Sequence, residues 1–199
     1  MNAALWFIIG YISGSLPFSV WLGKAFARAD VRQIGDGNPG AANAWKAGGW
    51  QVGLAALLLD YFKGALPVAA AHFIFNLTGW SIALASLAPI LGHAFSPLLN
   101  FRGGKGLTVT FGVWSGLTLA QVPLVLGLFM TLFYFTLSVD AWAVILSMIG
   151  LLAHLLIQQT DTALLAVWFG NLAVIVWKHR RELRQAPRPK PLFSGKRRV

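Results

Sequence analysis

The stretch LTVTFGVWSGLTLAQVPLVLGLFMTLFYFTL, Leu107 to Leu137, carries no charged residue, and its sharpest interruption is Gln121-Val122-Pro123. As one helix it would run about 46 Å at 1.5 Å per residue, well beyond the roughly 30 Å hydrocarbon core of a bilayer. Divided near Gln121 to Pro123 it becomes two shorter helices, and this division decides how often the chain crosses a membrane. The first of the two, Leu107 to Ala120, is short for a full crossing and is expected to be partial or strongly tilted.

Outward from this segment, apolar runs predict helices over about Asn2–Phe26, Trp50–Phe75, Trp80–Leu99, Ala141–Ile157 and Ala163–Trp177, with a turn at Asn76–Gly79. Apart from Lys63, the basic residues fall in three places. They are Lys24, Arg28, Arg32 and Lys46; then Arg102 and Lys105; then a tail with Lys178, Arg180, Arg181, Arg184, Arg188, Lys190, Lys196, Arg197 and Arg198 against the single Glu182. Cytoplasmic flanks carry the Lys/Arg excess, and each crossing reverses sides. Splitting Leu107–Leu137 gives about seven crossings and puts all three clusters inside, whereas leaving it whole strands the tail outside. The expected fold is therefore all-α: a polytopic integral membrane protein of about seven transmembrane helices, N-terminus outside and C-terminus cytoplasmic. Residues 1–178 read as a single transmembrane domain and 179–199 as a basic cytoplasmic tail.

Composition agrees. With 57% hydrophobic residues, 11% charged residues and a mean hydropathy of +0.66, the chain has too little polar surface to cover a water-soluble globule. The first apolar run has no basic residue before it and no later small-residue cleavage site, so it reads as a membrane helix rather than a signal peptide. Cysteine is absent, which excludes disulfides and thiol chemistry. The net charge of +10 gathers beside a membrane helix, where a basic run reads as a flank for anionic lipid and not for nucleic acid. No internal repeat stands out, against the inverted-repeat architecture of many transporters.

Three segments carry chemistry. The first loop, Arg32 to Gly49, contains Gly35, Gly37, Gly40, Gly48 and Gly49 together with Asp36, Asn38, Asn43 and Lys46. Its glycines permit positive φ and accessible amides, the requirement for an anion nest. The second, after the third predicted helix, brackets Gly103-Gly104 with Arg102 and Lys105, adds Gly106, and leads into the next helix. Two cations, exposed amides and a helix N-terminus suit a phosphate. It is not a Walker A loop, because Gly106 stands where Ser or Thr should follow the lysine, so nucleoside triphosphate hydrolysis is not indicated. The third is Asp60-x-x-Lys63, spaced to share a helix face as an ion pair within the bilayer. Of the histidines, His93 and His179 fall near cytoplasmic helix ends and count as site candidates, while His72 and His154 read as structural. No H-x-x-x-H pair or carboxylate cluster suggests a metal.

Taken in order, Gly14-Ser15-Leu16-Pro17, Gly35 to Asn43, Asp60-x-x-Lys63-Gly64, Gly92-His93-x-Phe95, Phe101-Arg102-Gly103-Gly104-Lys105-Gly106 and His179-Arg180 resemble the bacterial acyl-phosphate:glycerol-3-phosphate acyltransferases, the PlsY family. The resemblance implies a seven-helix enzyme of the bacterial inner membrane with its site facing the cytoplasm. Such an enzyme moves an acyl group from acyl phosphate to the 1-hydroxyl of glycerol 3-phosphate, giving lysophosphatidic acid and phosphate. It implies His179 and Lys105 in catalysis. Ser15, Asp36, Gly37, Asn38, Gly40, Asn43, Lys46, His93, Arg102, Gly103, Gly104 and Gly106 would bind substrate or phosphate; Asp60–Lys63 reads as a structural ion pair that orients helices around the site, with a direct catalytic part as the alternative. Acyl phosphate is already activated, so the chemistry requires neither metal nor cofactor. The expected partners are the two substrates and anionic lipid.

This chain departs from the family pattern at polar positions. The first loop usually reads G-S-G-N-x-G-A-T-N and ends in Arg, whereas here Asp36 replaces the Ser, Ala42 the Thr and Lys46 the Arg. Glu182 stands where H-R-x-N places Asn. An alternative acceptor of the same chemical class, or transport of an anionic lipid precursor, are the rival readings. Polar groups gathered at one face favour surface chemistry over transport.

Overall fold

The computed structural model describes residues 2–190, so the basic residues Lys196, Arg197 and Arg198 lie outside the described residues. Among the described residues the chain forms eight α-helices: α1 Ala3–Ser15, α2 Phe18–Ala27, α3 Ala41–Ala69, α4 Gly79–Ala94, α5 Leu107–Thr118, α6 Gln121–Thr136, α7 Asp140–Ile157 and α8 Thr162–His179. Five helical stretches are long and apolar enough to cross a membrane: Ala3–Ala27, Ala41–Ile74, Gly79–Leu99, Asp140–Ile157 and Thr162–His179. The outer surface is apolar, with Ile8, Leu66, Leu124, Leu128 and Phe135 exposed, as lipid contact demands.

The decisive segment does break. Leu119 adopts φ +55, ending α5 slightly before Gln121, so Pro123 falls in the first turn of α6, where its missing N–H costs no helical bond. The Thr118 hydroxyl accepts from the Val122 amide at 3.3 Å and bridges the break.

Three predicted boundaries need correction. The first helix is not continuous over Asn2–Phe26. Leu16, extended at φ −64 and ψ 119 as residues before proline prefer, separates α1 from α2. The second helix begins at Ala41, not Trp50. Gly49, at φ 76 and ψ −172, is a kink within α3, so half of the predicted first loop is helix, and α3 ends in a π-turn over Ala70–Ile74. The third helix stops at Ala94, followed by a 3₁₀ turn over Pro97–Leu99.

Small residues let the helices pack closely, as they must when no hydrophobic force acts between helices in lipid. A Cβ on Gly112 of α5 would lie 2.0 Å from the Tyr61 carbonyl oxygen of α3, and one on Gly92 of α4 would lie 2.2 Å from the Tyr11 carbonyl oxygen of α1. Buried polar bonds add specificity. Trp114 Nε1 donates to Asn171 Oδ1 at 3.2 Å, Asn171 Nδ2 to Thr110 Oγ1 at 2.9 Å, and Thr110 Oγ1 to the Gly106 carbonyl at 2.8 Å. This chain ties α8 to the start of α5.

The Asp60–Lys63 pair forms as expected, at 2.6 Å and almost wholly buried. Lys63 Nζ also donates to the Leu16 carbonyl at 2.8 Å, and Ser13 Oγ to the Lys63 carbonyl at 2.8 Å. The ammonium thus satisfies a carbonyl freed by the break before Pro17, which an apolar surround could not do.

Gly112→Val should lower the thermal midpoint in detergent through overpacking worth about 1–3 kcal/mol or more. Gly127→Ala, whose added Cβ meets nothing closer than 3.8 Å, should leave the midpoint unchanged or slightly raised.

Candidate active site

Two short segments and one helix end converge. In the first loop, Asn43 is buried at the start of α3 and its Nδ2 donates to Asp36 Oδ1 at 2.8 Å and to the Asn38 carbonyl at 3.0 Å. The Asn38 amide donates to Asp36 Oδ1 at 3.2 Å, and Ser19 Oγ of α2 donates to the Pro39 carbonyl at 2.9 Å. Gly35 and Gly37 take φ +60 and +74, which lets the chain wrap around the Asp36 carboxylate.

The second segment folds back onto the end of α4. Gly103 N donates to the Ala94 carbonyl at 3.2 Å and Gly104 N to the His93 carbonyl at 3.1 Å. Lys178 of α8 clips the same turn, its Nζ donating to the Ala94 carbonyl at 2.9 Å and the Gly103 carbonyl at 2.7 Å. Gly103 has no room for a side chain, since a Cβ would lie 1.9 Å from the His93 carbonyl oxygen. One on Gly104 would lie 2.2 Å from His93 Nε2, so the buried His93 ring packs on this turn.

This docking projects Lys105 between two carboxylates. Its Nζ lies 2.6 Å from Asp36 Oδ2 and 2.7 Å from Glu182 Oε1. Burial opposes ionisation of Asp36, but hydrogen bonds from Lys105, the Asn38 amide and Asn43 outweigh it and hold the carboxyl at about 2. Burial likewise opposes the charge on Lys105, and its bonds to Asp36 and Glu182 outweigh that and raise its pKa.

His179 is the last residue of α8 and belongs to the helical body rather than to the tail. Its Nδ1 lies 2.9 Å from the Ile175 carbonyl. A carbonyl can only accept, so Nδ1 carries hydrogen and Nε2 is the free nitrogen of the neutral ring.

A cavity of about 640 Å³ collects these groups. Asp36, Asn38, Gly40, Asn43, Lys46, Asp60, His93, Lys105, Gly106, Asp140 and His179 provide its polar lining, and Trp45, Leu57, Leu107 and Val144 its apolar part. The first amides of α5 precede its first helical bond, Thr110 N to the Gly106 carbonyl, so the N–H groups of Leu107 and Thr108 are free for an anion at the cavity wall.

The structure brings together most, not all, of the residues expected from sequence. Ser15 lies elsewhere: its Oγ donates to the Tyr11 carbonyl at 2.7 Å and its carbonyl accepts from Ser96 Oγ at 2.6 Å, a helix-end role. Arg102 and Gly37 line a separate polar pocket with Asp30, Arg32, Gln33 and Asn100, and the turn at Asn100 and Phe101, both at positive φ, sends Arg102 away from Lys105. The Gly103 and Gly104 amides are spent on α4 and do not face an anion. Sequence reading missed Asp140, Trp45, Leu57 and Val144 as lining residues, and it treated Lys178 only as the first charge of the basic run. Its place one residue before His179, on a helix ending beside the glycine turn, was the available signal.

The chain matches the family model described as Glycerol-3-phosphate acyltransferase over residues 4–187. It is 40% identical over 193 residues to "Glycerol-3-phosphate acyltransferase 1" of Thermotoga maritima, covering 89% of this chain and 94% of that one. It is 31% identical over 186 residues to the glycerol-3-phosphate acyltransferase of Listeria monocytogenes, covering 92% of each. The crystal structure of PlsY, an integral membrane glycerol 3-phosphate acyltransferase, superimposes in its glycerol 3-phosphate form with TM-score 0.79 at 27% identity, covering 92% of this chain and 90% of that one. Its lysophosphatidic acid form superimposes with TM-score 0.81.

The Asp36 carboxyl stands at about 2 in the folded chain against an ordinary 3.8, so its contribution to stability is complete above the ordinary value and is lost as pH falls through the folded one. Asp36→Asn should therefore melt below the parent by a constant margin above about pH 5, and the margin should shrink between about pH 4 and pH 2 in detergent melts.

Proposed function

Because the chain belongs to the glycerol-3-phosphate acyltransferase family, we propose that it transfers a fatty acyl group from acyl phosphate to the 1-hydroxyl of glycerol 3-phosphate. The products are lysophosphatidic acid and inorganic phosphate. One observation carries the reading: a single cavity joins a histidine with a free Nε2, two lysines and a helix N-terminus to an apolar wall of Trp45, Leu57, Leu107 and Val144. That combination suits two phosphates and one long tail.

Transfer takes one step. The acceptor oxygen attacks the acyl carbon, the bond from that carbon to the phosphate oxygen breaks, and the phosphate departs with the bonding pair. His179 Nε2 receives the hydroxyl proton, with the acceptor's own phosphate as a competing base. The remaining N–H of Lys105 and the first amides of α5 stabilise charge developing on the acyl oxygen. Lys46 offers a cation to phosphate, while Asn38 and Asn43 hold the first loop in shape. No covalent acyl-enzyme is required, because the donor is already activated.

The membrane arrangement follows the charges. Counting α1 with α2 as one crossing and each of α3 to α8 as another gives about seven, with the N-terminus outside and the cavity at the cytoplasmic face of a bacterial inner membrane. α5 has 12 residues and is the shortest crossing, about 18 Å at 1.5 Å per residue. Residues beyond α8 form a basic flank toward anionic lipid.

Lys105→Ala should lower lysophosphatidic acid formation in a bilayer assay by about 10²–10³-fold. His179→Ala should lower it by about 10²–10⁴-fold. Normal turnover by the Lys105 variant in a folded preparation would sink the assignment.

A further inference from the structure

We propose that Asp36 and Glu182 act together as a carboxylate clamp on Lys105 that sets how tightly the cavity holds phosphate, so that a phosphate taking more than the one remaining N–H of this lysine must displace one of them. The proposal rests on the reading of the cavity as a site for phosphorylated substrates. It deepens that reading by assigning two residues a role in anion affinity.

Three separate segments meet at one ammonium. Asp36 comes from the loop before α3, Lys105 from the glycine turn before α5, and Glu182 from the turn over Glu182–Arg184 after α8. The contacts are 2.6 Å and 2.7 Å, in the range of charge-assisted hydrogen bonds. An ammonium has three N–H donors, so a lysine with two carboxylate partners keeps one for anything else. The clamp is also within reach of an entering ligand, because the side chains of Lys105, Asp36 and Glu182 are 25%, 46% and 35% exposed.

Charge shows which way the clamp acts. Asp140 lines the same cavity, and Asp60 there is already paired with Lys63. Among the described residues Lys46 is the lining cation without a carboxylate partner, so an arriving phosphate meets Lys46 as its unpaired cation. Beyond the one free N–H of Lys105, it gains a further N–H only by turning Asp36 or Glu182 out toward water. The two anchors differ in firmness. Asp36 is also held by Asn43 and the Asn38 amide, whereas Lys105 is the sole side-chain partner of Glu182 among the described residues. Glu182 is therefore the arm that opens. Such a site binds phosphate less tightly than a bare lysine would, and it returns the lysine to its carboxylates when inorganic phosphate leaves.

The test is isothermal titration of inorganic phosphate into the full chain in detergent, for the parent, Glu182→Gln, Asp36→Asn, the double variant and Glu182→Asp. Each isosteric neutral variant should bind phosphate about fivefold more tightly, the scale of one partly exposed ion pair. The double variant should exceed either, and Glu182→Asp should behave as the parent. The KM for glycerol 3-phosphate should fall with the dissociation constant, a change that a purely structural role would not produce. Unchanged, weaker or undetectable phosphate binding in both single neutral variants overturns the clamp. Lysophosphatidic acid formation measured on the same samples separates the two readings. Tighter phosphate binding without transfer leaves the clamp standing and removes the acyltransferase reading; transfer with unaltered affinity does the reverse.

Discussion

The closure of Gly103 and Gly104 onto the carbonyls of Ala94 and His93 is the constraint on which the rest of the site depends. Irregular backbone between membrane helices is tolerated where its polar groups find partners inside the protein or line a water-filled cavity. Here two glycine amides pair with the end of α4, and Lys178 covers the Ala94 and Gly103 carbonyls with one ammonium. The same lysine joins α8 to the turn, so the helix that ends in His179 is held against the segment that presents Lys105. Glycine is required because the backbones approach too closely for a side chain at Gly103. Loosening this closure would separate the candidate base from the candidate cation and release the start of α5.

A second polar anchor works alongside it. Lys63, neutralised by Asp60, holds the Leu16 carbonyl where α1 gives way to α2. The buried chain of Trp114, Asn171 and Thr110 reaches the Gly106 carbonyl from the other side. Asp60 Oδ1 is met by its ion pair with Lys63 and the other buried groups by hydrogen bonds, which is the condition for polar residues to specify helix positions in lipid. They set relative placement, while apolar area and small-residue contacts supply the bulk of the packing.

Much of this was legible in the amino-acid sequence. The helical, membrane-embedded class follows from apolar runs and charge placement, and the break in Leu107–Leu137 follows from length against bilayer thickness. The ion pair of Asp60 and Lys63 is visible as an i,i+3 spacing. Other features were not, because they depend on where backbone groups go rather than on residue type. The glycine turn looked like an open nest of amides, but two of those amides close onto α4. Arg102 is adjacent to that turn in sequence and leaves it in space through the left-handed residues Asn100 and Phe101. The first loop proved half helical because the conformational break falls at Gly49, not at its start. Asp36 and Glu182, separated by most of the chain, could be recognised as unusual one by one. Only the structure places both on Lys105.

The central claim is that this cavity passes an acyl group directly from a phosphate to an alcohol. Its most direct test is to supply purified protein with long-chain acyl phosphate and glycerol 3-phosphate and to count both products. Lysophosphatidic acid and inorganic phosphate should form in equal amounts, with no acyl group retained on the protein. Phosphate released without lysophosphatidic acid, or an acyl-protein intermediate that accumulates when the acceptor is withheld, would contradict it.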